Sequence, residues 1–548
     1  MKVKLFLEAS EAEKTEAKVA KTICHHIDGI AIGSTVQALA RHNVFDRLKK
    51  ARAPWNVNRL ANDVGAREGY FHIALRLLAH QGFLRLSGDI DNNRQEVSLT
   101  DAGIAWLRFV DYYQQIPSLL ASVLELRSFF SGSDLRRRLE TALPRVTSCM
   151  DTSPIGRRVA LHINGALVAV IMTELYMKGF LEKLISREEQ FVPFDQTTIH
   201  PIVSTFMADI LKAQGWADTQ KGGLQLTDSG TLAALWTPQY FYPVSYLSTF
   251  RNVPELLFGT GHNYETHDTK TNETHIDRNL DIKFSGLVFQ RTCRQPFLDI
   301  VLPIFNREPL SEQPASIVDT GSGDGTLLTE LFWAVKTQTL RGRFLESYPL
   351  LLVGAEYNRV ARASTKAALE AAGIPNKTVF GDIGDPIGLS RTLLDNGVDP
   401  TNALHVSKSV IHNRTYKNPE QTERLADWKP LSQSPFTLPH GSLIRSRDME
   451  CNLIELFENW APLTKKHGMV VIEAHTVDPE LVSNHVGQNI ITCIDATHGY
   501  SNQYLIESEV FERAAQAAGY KCLAYREIGG KLIGGPTMTI NHFIPQRA

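Results

Sequence analysis

Apolar and polar positions recur at helical spacing over most of residues 1–115. One apolar-periodic stretch ends at Gln81-Gly82, a helix stop, and a short β-like run follows it. After the polar segment 89–95, a second β-like run leads into a further helix. The order of helix, turn, helix and two-stranded wing predicts a winged helix in this first part of the chain.

Residues 211–234 repeat the pattern of residues 78–107. In both, an amphipathic helix ends in Gln-Gly, and a Leu-Thr-Asp-x-Gly segment follows after a turn. We interpret this as an internal duplication, and it predicts a helical lid with a second winged-helix-like repeat at 116–255. The helical pattern at 160–185 is apolar on most faces, which predicts burial, and the polar stretch 259–279 is typical of a long ordered loop or hinge.

The last part of the chain, 256–548, alternates β-like runs with helical patterns. This alternation predicts an α/β fold with an open, mostly parallel sheet, and the last two runs predict a terminal hairpin at its edge. Ligands bind at the carboxyl ends of the strands in such a sheet. Functional side chains are therefore expected where these strands end.

Composition and charge exclude several classes of protein. The 548 residues include 57 Lys and Arg against 59 Asp and Glu, so the formal net charge is −2. A nearly neutral chain with an acidic wing segment offers no basic surface for a polyanion, so we expect no nucleic-acid partner. The N-terminus turns charged within a few residues, and no uncharged apolar run reaches the roughly 20 residues that span a bilayer, so we expect a cytoplasmic protein with no membrane partner. The six cysteines contain no CxxC pair, which favours buried thiols over disulfides or a thiolate zinc site.

A glycine-rich loop follows the first β-like run of the last part. Asp319 ends the run, and Gly321, Gly323 and Gly325 follow at alternate positions before a helical pattern. Glycines allow such a loop to turn sharply and allow a ligand to approach the backbone. The Asp-x-Gly-x-Gly-x-Gly spacing differs from the GxGxxG of dinucleotide folds. It resembles motif I of class I S-adenosylmethionine-dependent methyltransferases.

That resemblance implies a Rossmann-like seven-stranded sheet with S-adenosylmethionine as cofactor. In these enzymes the motif I acid supports the amino-acid end of the cofactor, and Asp319 holds that position here. An acid after the second strand accepts the ribose hydroxyls, which corresponds to Glu356, and an Asp after the third strand meets the adenine, which corresponds to Asp382 with Ile383 beside it. Three such signals in chain order are more specific than any one of them.

Polar clusters at the later strand ends extend the resemblance. They are His412-Asn413-Arg414, Glu473-Ala474-His475 and residues 495–503. From about residue 255 to 545 the chain is similar to the metal-dependent C-methyltransferases at the loading modules of the apratoxin and saxitoxin synthases. The stretches that carry this similarity are LLFG, ETHIDRNL, VDTGSGDGTLL, GDIGDP, HNR, EAHTVDP and HGYSNQYLIESEVF.

The similarity implies a mononuclear metal of the iron or manganese type, held by a His at the end of the fifth strand and a Gln in the following segment. These positions match His475 and Gln503; His475 is also a catalytic candidate, and His412 is expected to act as a base or substrate contact. Imidazole and amide ligands with open positions suit a divalent ion that acts as a Lewis acid on a chelating, malonyl-type substrate. Family members usually read Asp-His-Asp-Arg where this chain has Ile-His-Asn-Arg around His412, so two carboxylates are missing.

The leading hypothesis is a metal-assisted C-methyltransferase that acts on a malonyl-like or 2-keto-acid-like substrate in polyketide or other natural-product metabolism. The related synthases continue into a carrier protein, so we expect the acyl substrate here to arrive in trans, free or bound to a carrier protein. The alternative is a metal-independent O-methyltransferase in which a His acts as general base and the winged helix forms a homodimer. A third hypothesis, a winged-helix regulator that senses S-adenosylmethionine, is disfavoured by the acidic wing.

Overall fold

The N-terminal half is helical and contains two small sheets. The computed structural model describes residues 11–128, 153–185, 192–193, 201–220, 223–259, 273–420, 425–531 and 533–546. Up to residue 259 the described helices are α1 Glu11–Arg41, α2 Val44–Lys50, α3 Val57–Val64, α4 Glu68–His80, α5 Asp101–Trp106, α6 Ile116–Ser128, α7 Pro154–Met177, α8 Phe180–Ile185, α9 Pro201–Ala213, α10 Asp228–Trp236, α11 Pro238–Ser245 and α12 Leu247–Phe258. The strands are β1 Trp55–Asn56, β2 Leu84–Ser87 and β3 Glu96–Leu99 in one sheet, and β4 Val192–Pro193, β5 Ala217–Gln220 and β6 Gly223–Leu226 in the other.

The two copies of the Leu-Thr-Asp-x-Gly segment form the same structure. The side chain of Thr100 accepts a hydrogen bond from the backbone N–H of Gly103 at 2.9 Å, and Thr227 accepts one from Gly230 at 3.0 Å. Each threonine thereby caps the helix that follows its wing. A Cβ added at either glycine would lie within 2.0 Å of a backbone carbonyl oxygen, so a side chain is excluded there.

Helix α7 is the long apolar helix that the sequence predicts to be buried. Its length and composition alone would suffice to cross a membrane, but 72% of its most apolar 18-residue window is buried inside the protein. It packs along α1 in the N-terminal hydrophobic core. The prediction of burial is confirmed, and this degree of burial is typical of a core helix in a soluble protein.

The second half is built around one large sheet. Its strands are β7 Ser316–Thr320, β8 Leu351–Ala355, β9 Asn376–Val379, β10 Ala403–Lys408, β13 Met469–Ala474, β14 Tyr520–Ile528 and β15 Met538–Pro545, and a separate hairpin pairs β11 Phe436–Thr437 with β12 Leu443–Ile444. The helices are α13 Arg278–Val288, α14 Arg294–Val301, α15 Thr326–Gln338, α16 Arg359–Ala371, α17 Pro386–Asp395, α18 Ser446–Thr464, α19 Pro479–Ser483, α20 Ile491–Tyr500 and α21 Ser508–Ala517.

The strand order places a crevice at the centre of this sheet. The order is β14-β15-β13-β10-β7-β8-β9, and only the pairings of β15 with β13 and with β14 are antiparallel. Every residue of β7 is buried, as expected for a central strand with helices on both faces. The chain leaves β7 on one side towards β8 and later returns on the other side as β10, and ligands bind at such a switch point. The predicted α/β class, the seven strands and the terminal hairpin are confirmed.

Two smaller predictions are only partly covered by the described residues. The stretch 259–279 includes residues 260–272, which lie outside them; the chain is irregular from 273 to 277, and α13 then begins at Arg278. All five described cysteines are free, and four of them are buried. The prediction of unpaired thiols is therefore confirmed for these five, and Cys149 lies outside the described residues.

The two halves share a buried polar interface. Arg76 on α4 donates hydrogen bonds to Asp495 on α20 at 2.9 Å, to the hydroxyl of Thr476 at 2.8 Å and to the carbonyl of Val477 at 2.8 Å. Three residues of α20 also belong to the N-terminal hydrophobic core: Cys493, Ala496 and Tyr500. Helix α20 is therefore held by the N-terminal half.

The acidic wing has a structural partner in the second half. The carboxylate of Asp91 accepts the backbone N–H groups of Ser446 at 2.7 Å and of Arg447 at 3.2 Å, at the start of α18. These N–H groups have no partner within the helix, and a negative charge is favourable at this end of the helix dipole. The wing thus caps a helix of the other half.

Candidate active site

A cavity of about 440 Å³ opens at the carboxyl ends of the central strands. Helix α13 borders it next to the glycine-rich loop, and residues on and after α20 border its far end. The predicted residues that line it are Gly321, Gly323, Glu356, Asp382, Ile383, His412 and Gln503. Three predicted residues do not line it: Asp319, Gly325 and His475.

The glycine-rich loop begins with a turn that only glycine tolerates. Gly321 has a φ of +83°, and a Cβ there would lie 2.3 Å from the side chain of Val410, in the segment after β10. The next loop glycine, Gly323, donates its N–H to Glu356 at 3.0 Å. The loop is therefore fixed by contacts to the neighbouring strand ends, and its backbone is open to a ligand.

Buried carboxyl groups surround this loop. Asp319 is 1% exposed, and its Oδ1 has no hydrogen-bond partner among the described residues. Burial, reinforced by the nearby Glu356, raises the pKa of Asp319 to about 8. Glu356 accepts the N–H groups of Gly323 and Asn358, and burial raises its pKa as well. Such acids are stabilised by a ligand that brings a positive charge or hydroxyl donors.

Asp382 and Ile383 lie after β9, as the sequence predicts. Asp382 accepts the N–H of Gly384 at 2.7 Å, and the carbonyl of Ile383 accepts the indole N–H of Trp460 at 3.0 Å. These local bonds fix the segment that lines the cavity beyond Glu356. The order of loop, Glu356 and Asp382 along the strand ends therefore matches the predicted cofactor path, and the contacts to the cofactor themselves stay a prediction.

The other end of the cavity contains a histidine held by a glutamate. Nδ1 of His412 and Oε1 of Glu473 are 2.5 Å apart, and Oε2 of Glu473 accepts the N–H of Ile411 at 2.9 Å. Burial alone would raise the pKa of Glu473, but the interaction with His412 and the hydrogen bond from the N–H of Ala474 outweigh it, so the pKa lies below its ordinary value. Glu473 is therefore a carboxylate, and His412 donates its Nδ1–H to it. The acid beside His412 comes from β13 and not from the residues that flank it in the chain.

A second histidine faces the first. Nδ1 of His498 lies 2.7 Å from the carbonyl of Ile494, so this nitrogen carries a hydrogen and Nε2 does not when the ring is neutral. Burial, together with the nearby His412, holds the pKa of His498 well below its ordinary value. Its Nε2 lies 3.1 Å from Nε2 of His412. Two bare nitrogens at this distance would repel, so a proton or another cation belongs between them.

Gln503 is oriented by its neighbours. Its side-chain nitrogen lies 3.1 Å from the hydroxyl of Tyr246 and 2.9 Å from that of Ser501. Because Ser501 donates its own hydrogen to the carbonyl of Thr497 at 2.6 Å, it must accept from Gln503, which identifies the NH₂ group. The amide oxygen of Gln503 is then the atom left for the cavity.

The structure places His475 outside the set of residues that line the cavity. Its Nδ1 lies 3.1 Å from the carbonyl of Ile506, its Nε2 lies 2.8 Å from the hydroxyl of Thr539, and its ring packs against Phe511. Burial lowers its pKa to about 4, so it is a neutral structural histidine. A position at a strand end fixes the place of the backbone but not the side to which the side chain points. His475 therefore does not share the cavity with Gln503, and its catalytic and metal-binding roles stay predictions.

No larger metal cluster replaces that pair. Within the described ranges, three or more His, Cys, Asp or Glu side chains are nowhere grouped so that they could hold a metal ion. The histidines that line the same cavity as Gln503 are His275, His412 and His498, and the last two face each other at 3.1 Å. The sequence pattern indicates the segment 495–503 without singling out His498, and it indicates Glu473 only as a neighbour of His475.

Three protein-family models match consecutive parts of the chain. The AprA N-terminal domain model matches residues 19–86, the AprA winged helix domain model matches 164–260, and the AprA MT2-like domain model, a methyltransferase family, matches 273–526. The winged helix model covers the second of the two copies that the sequence predicts. A comparison with curated proteins gives no significant match.

Three solved structures that resemble the chain share little of its sequence. An O-methyltransferase family 2 protein from Planctomyces limnophilus, in complex with apigenin, is 10% identical to this chain. The match covers 96% of this chain and 96% of that protein, with a TM-score of 0.38. The dimethyltransferase RosA from Streptomyces davawensis is 12% identical over 71% of this chain and 99% of its own, with a TM-score of 0.38. The CurJ carbon methyltransferase is 11% identical over 74% of this chain and 98% of its own, with a TM-score of 0.33.

Proposed function

We propose that this chain, an S-adenosylmethionine-dependent methyltransferase with an AprA-type methyltransferase core, methylates a carbon atom of a small acyl acceptor. The acceptor class is a malonyl-like or 2-keto-acid-like compound of natural-product biosynthesis, free or bound to a carrier protein. The observation that carries this proposal is the pair of facing imidazoles, His412 and His498, beside the amide oxygen of Gln503. The similarity to the synthase C-methyltransferases points in the same direction.

The spacing of the two imidazoles suits two ligands of one divalent metal ion. Two nitrogens about 2.1 Å from one ion and at right angles to each other are about 3 Å apart, and the two Nε2 atoms are 3.1 Å apart. Neutral imidazole and amide oxygen suit iron or manganese when other positions stay open to substrate or water. When bound, such an ion would act as a Lewis acid that favours the enolate form of the acceptor.

The protein's own groups prepare this centre. Glu473 holds His412 at its Nδ1, which leaves Nε2 for a ligand, and Tyr246 and Ser501 hold the amide nitrogen of Gln503, which leaves its oxygen. β10 and β13 are neighbours in the sheet and β10 also pairs with β7, so the acceptor end and the glycine-rich loop share one cavity. Positioning of the acceptor carbon near the electrophilic methyl group of the cofactor then supplies much of the rate.

The same contacts favour a second candidate, a metal-free O-methyltransferase. A histidine whose Nδ1–H is held by a carboxylate has its Nε2 available as a general base. His412 would then remove the proton of an acceptor hydroxyl, and the cation between His412 and His498 would be that proton. The two candidates differ in the atom that is methylated and in the need for metal.

Metal analysis of the full-length protein and two variants tests the first candidate. We expect a bound divalent metal in the wild type, its loss in His498→Asn, and its retention in the matched control His475→Asn. Activity on malonyl thioesters and 2-keto acids should disappear with chelator and return with iron or manganese. Full activity in chelator with the new methyl group on oxygen would decide for the second candidate.

A further inference from the structure

Tyr246 has a hydroxyl hydrogen for which the described residues provide no acceptor. The residue lies between α11 and α12, is 3% exposed and lines the cavity. Its oxygen accepts the NH₂ group of Gln503 at 3.1 Å, and an NH₂ group cannot accept a hydrogen bond in return. The hydrogen of this hydroxyl is therefore left for a molecule that fills the cavity.

The neighbouring tyrosine is not available in this way. The hydroxyl of Tyr242, four residues earlier, is bonded to the hydroxyl of Thr497 and lies 3.1 Å from Nδ1 of His498. Tyr242 thus holds α20 in place. Of these two tyrosines from the N-terminal half, Tyr246 is the one with a hydrogen to donate, and it lies beside Gln503 at the acceptor end.

The hydroxyl of Tyr246 is a neutral donor. Burial, reinforced by the nearby Asp281, holds the pKa of Tyr246 well above its ordinary value, and the opposing effect of Arg278 is smaller. The phenol therefore keeps its hydrogen at any pH near neutrality. It can stabilise a negative oxygen through a hydrogen bond, but it cannot act as a base.

The backbone around Tyr246 fixes the direction of this donor. The carbonyl of Tyr246 accepts the N–H of Phe250 at 3.0 Å, and the carbonyl of Ser245 accepts the N–H of Asp277, just before α13, at 2.8 Å. The ring packs edge-on against Tyr242, with 5.6 Å between the ring centroids. A donor that is held before the reaction needs little reorganisation when charge develops on its acceptor.

We propose that Tyr246 is a catalytic residue that donates a hydrogen bond to the carbonyl oxygen of the acceptor, the oxygen that carries the negative charge in the enolate. This inference rests on the proposed function, because an enolate is formed in methylation of carbon. The phenol keeps its hydrogen throughout, so no proton has to be returned to it. The bond is stronger to the enolate than to the neutral carbonyl, so Tyr246 should act on kcat more than on KM.

Tyr246→Phe removes the hydroxyl and keeps the ring. We expect kcat for methylation of a malonyl thioester to fall by about 10²- to 10³-fold, the effect of one lost oxyanion donor, with KM and the affinity for S-adenosylhomocysteine nearly unchanged. Enolate formation is measured separately, as exchange of the acceptor's α-hydrogen with D₂O when S-adenosylhomocysteine replaces the methyl donor. It should slow by the same factor. Tyr520→Phe, the same change in the core of the second half and outside the cavity, should leave both rates unaltered.

A second comparison separates a direct role from one that acts through Gln503. Ser501→Ala removes the other acceptor of the Gln503 NH₂ group but no donor to the cavity, so it should slow the exchange by about 10-fold at most. In the Gln503→Ala background, Tyr246→Phe should still slow the exchange by about 10-fold or more.

Three outcomes would overturn the role of Tyr246. The first is a kcat of Tyr246→Phe within about threefold of the wild type. The second is no further loss in the Gln503→Ala background, which would make Tyr246 only a support of Gln503. The third is normal exchange of the α-hydrogen with slow methyl transfer, which would assign the hydroxyl to the methyl donor. A wild type that methylates oxygen, or neither class of acceptor, overturns the proposed function and with it the inference.

Discussion

Arg76 is the side chain on which most of the polar contact between the two halves depends. It is 5% exposed, and its partner Asp495 is 8% exposed. We therefore predict that Arg76→Met, which keeps the length of the side chain and removes its charge, loosens α20. His498 lies on the same helix, one turn after Asp495, so the loss would reach the candidate site.

The size of the effect follows from what the variant leaves behind. Removal of one partner of a buried ion pair costs about 3–5 kcal/mol, because the other charge stays buried without compensation. Burial raises the pKa of Asp495, and the charge of Arg76 lowers it again in part. His80, which lies beside Asp495, cannot replace that charge, because burial holds the pKa of His80 well below its ordinary value. Without Arg76 the carboxyl takes up a proton more readily, so the loss should be greatest at high pH and smaller towards pH 4.

Hydrogen exchange of the α20 amides measures this opening locally, which is appropriate because a protein of this size need not unfold in two states. At about 1.4 kcal/mol per factor of ten, exchange should accelerate on the order of 10²- to 10³-fold. Arg85→Met, at an exposed position of β2, is the control and should stay within about 0.5 kcal/mol.

A double-mutant cycle separates the ion pair from general disruption. Asp495→Asn removes the buried charge, so in the Arg76→Met background it should recover part of the lost stability. The reasoning is refuted if exchange in α20 of Arg76→Met stays within threefold of the wild type. It is also refuted if the two substitutions are simply additive.

Three further predictions concern single carboxyl groups. Glu473→Gln removes the charge that holds His412 and should lower kcat by about 10²- to 10⁴-fold with little change in KM. An unaltered kcat would contradict a role of the Glu473–His412 pair in the reaction. Burial raises the pKa of Asp28 to about 7 in the folded protein. The folded state therefore keeps a proton that the unfolded state releases above about pH 4, so the free energy of unfolding falls as the pH rises from about 4 to about 7. Asp28→Asn should therefore stabilise the protein by up to about 4 kcal/mol at pH 8 and hardly at pH 4 in urea unfolding. Asp91→Ala leaves α18 without its cap and should lower the free energy of unfolding by about 0.5–2 kcal/mol, and Asp91→Asn should lower it less. Equal stability of the wild type and both variants in urea unfolding would argue against the wing contact.

The fold could be predicted from local patterns because each element has a signal of its own. The glycine at Gly321 and the threonine caps at Thr100 and Thr227 are needed by backbone geometry that repeats wherever these elements occur. Glu356 could also be predicted, because its place directly after β8 brings it to the cavity by topology alone.

The chemistry of the site was harder to predict, because it depends on which way side chains turn. His475 and Glu473 are two residues apart, yet Glu473 reaches His412 while His475 turns to Thr539 on β15. His498 acquires its place from α20, which is set by the N-terminal half, and no local pattern encodes that contact.

Helix α20 carries His498 on one side and belongs to the N-terminal hydrophobic core on the other. The catalytic half is therefore not a separate folding unit, since its own site helix lacks a complete core without residues that come earlier in the chain. The dependence is mutual, because Cys493, Ala496 and Tyr500 of α20 are also part of the core of the N-terminal half. Exchange of the N-terminal half between relatives would therefore require matching changes in α20.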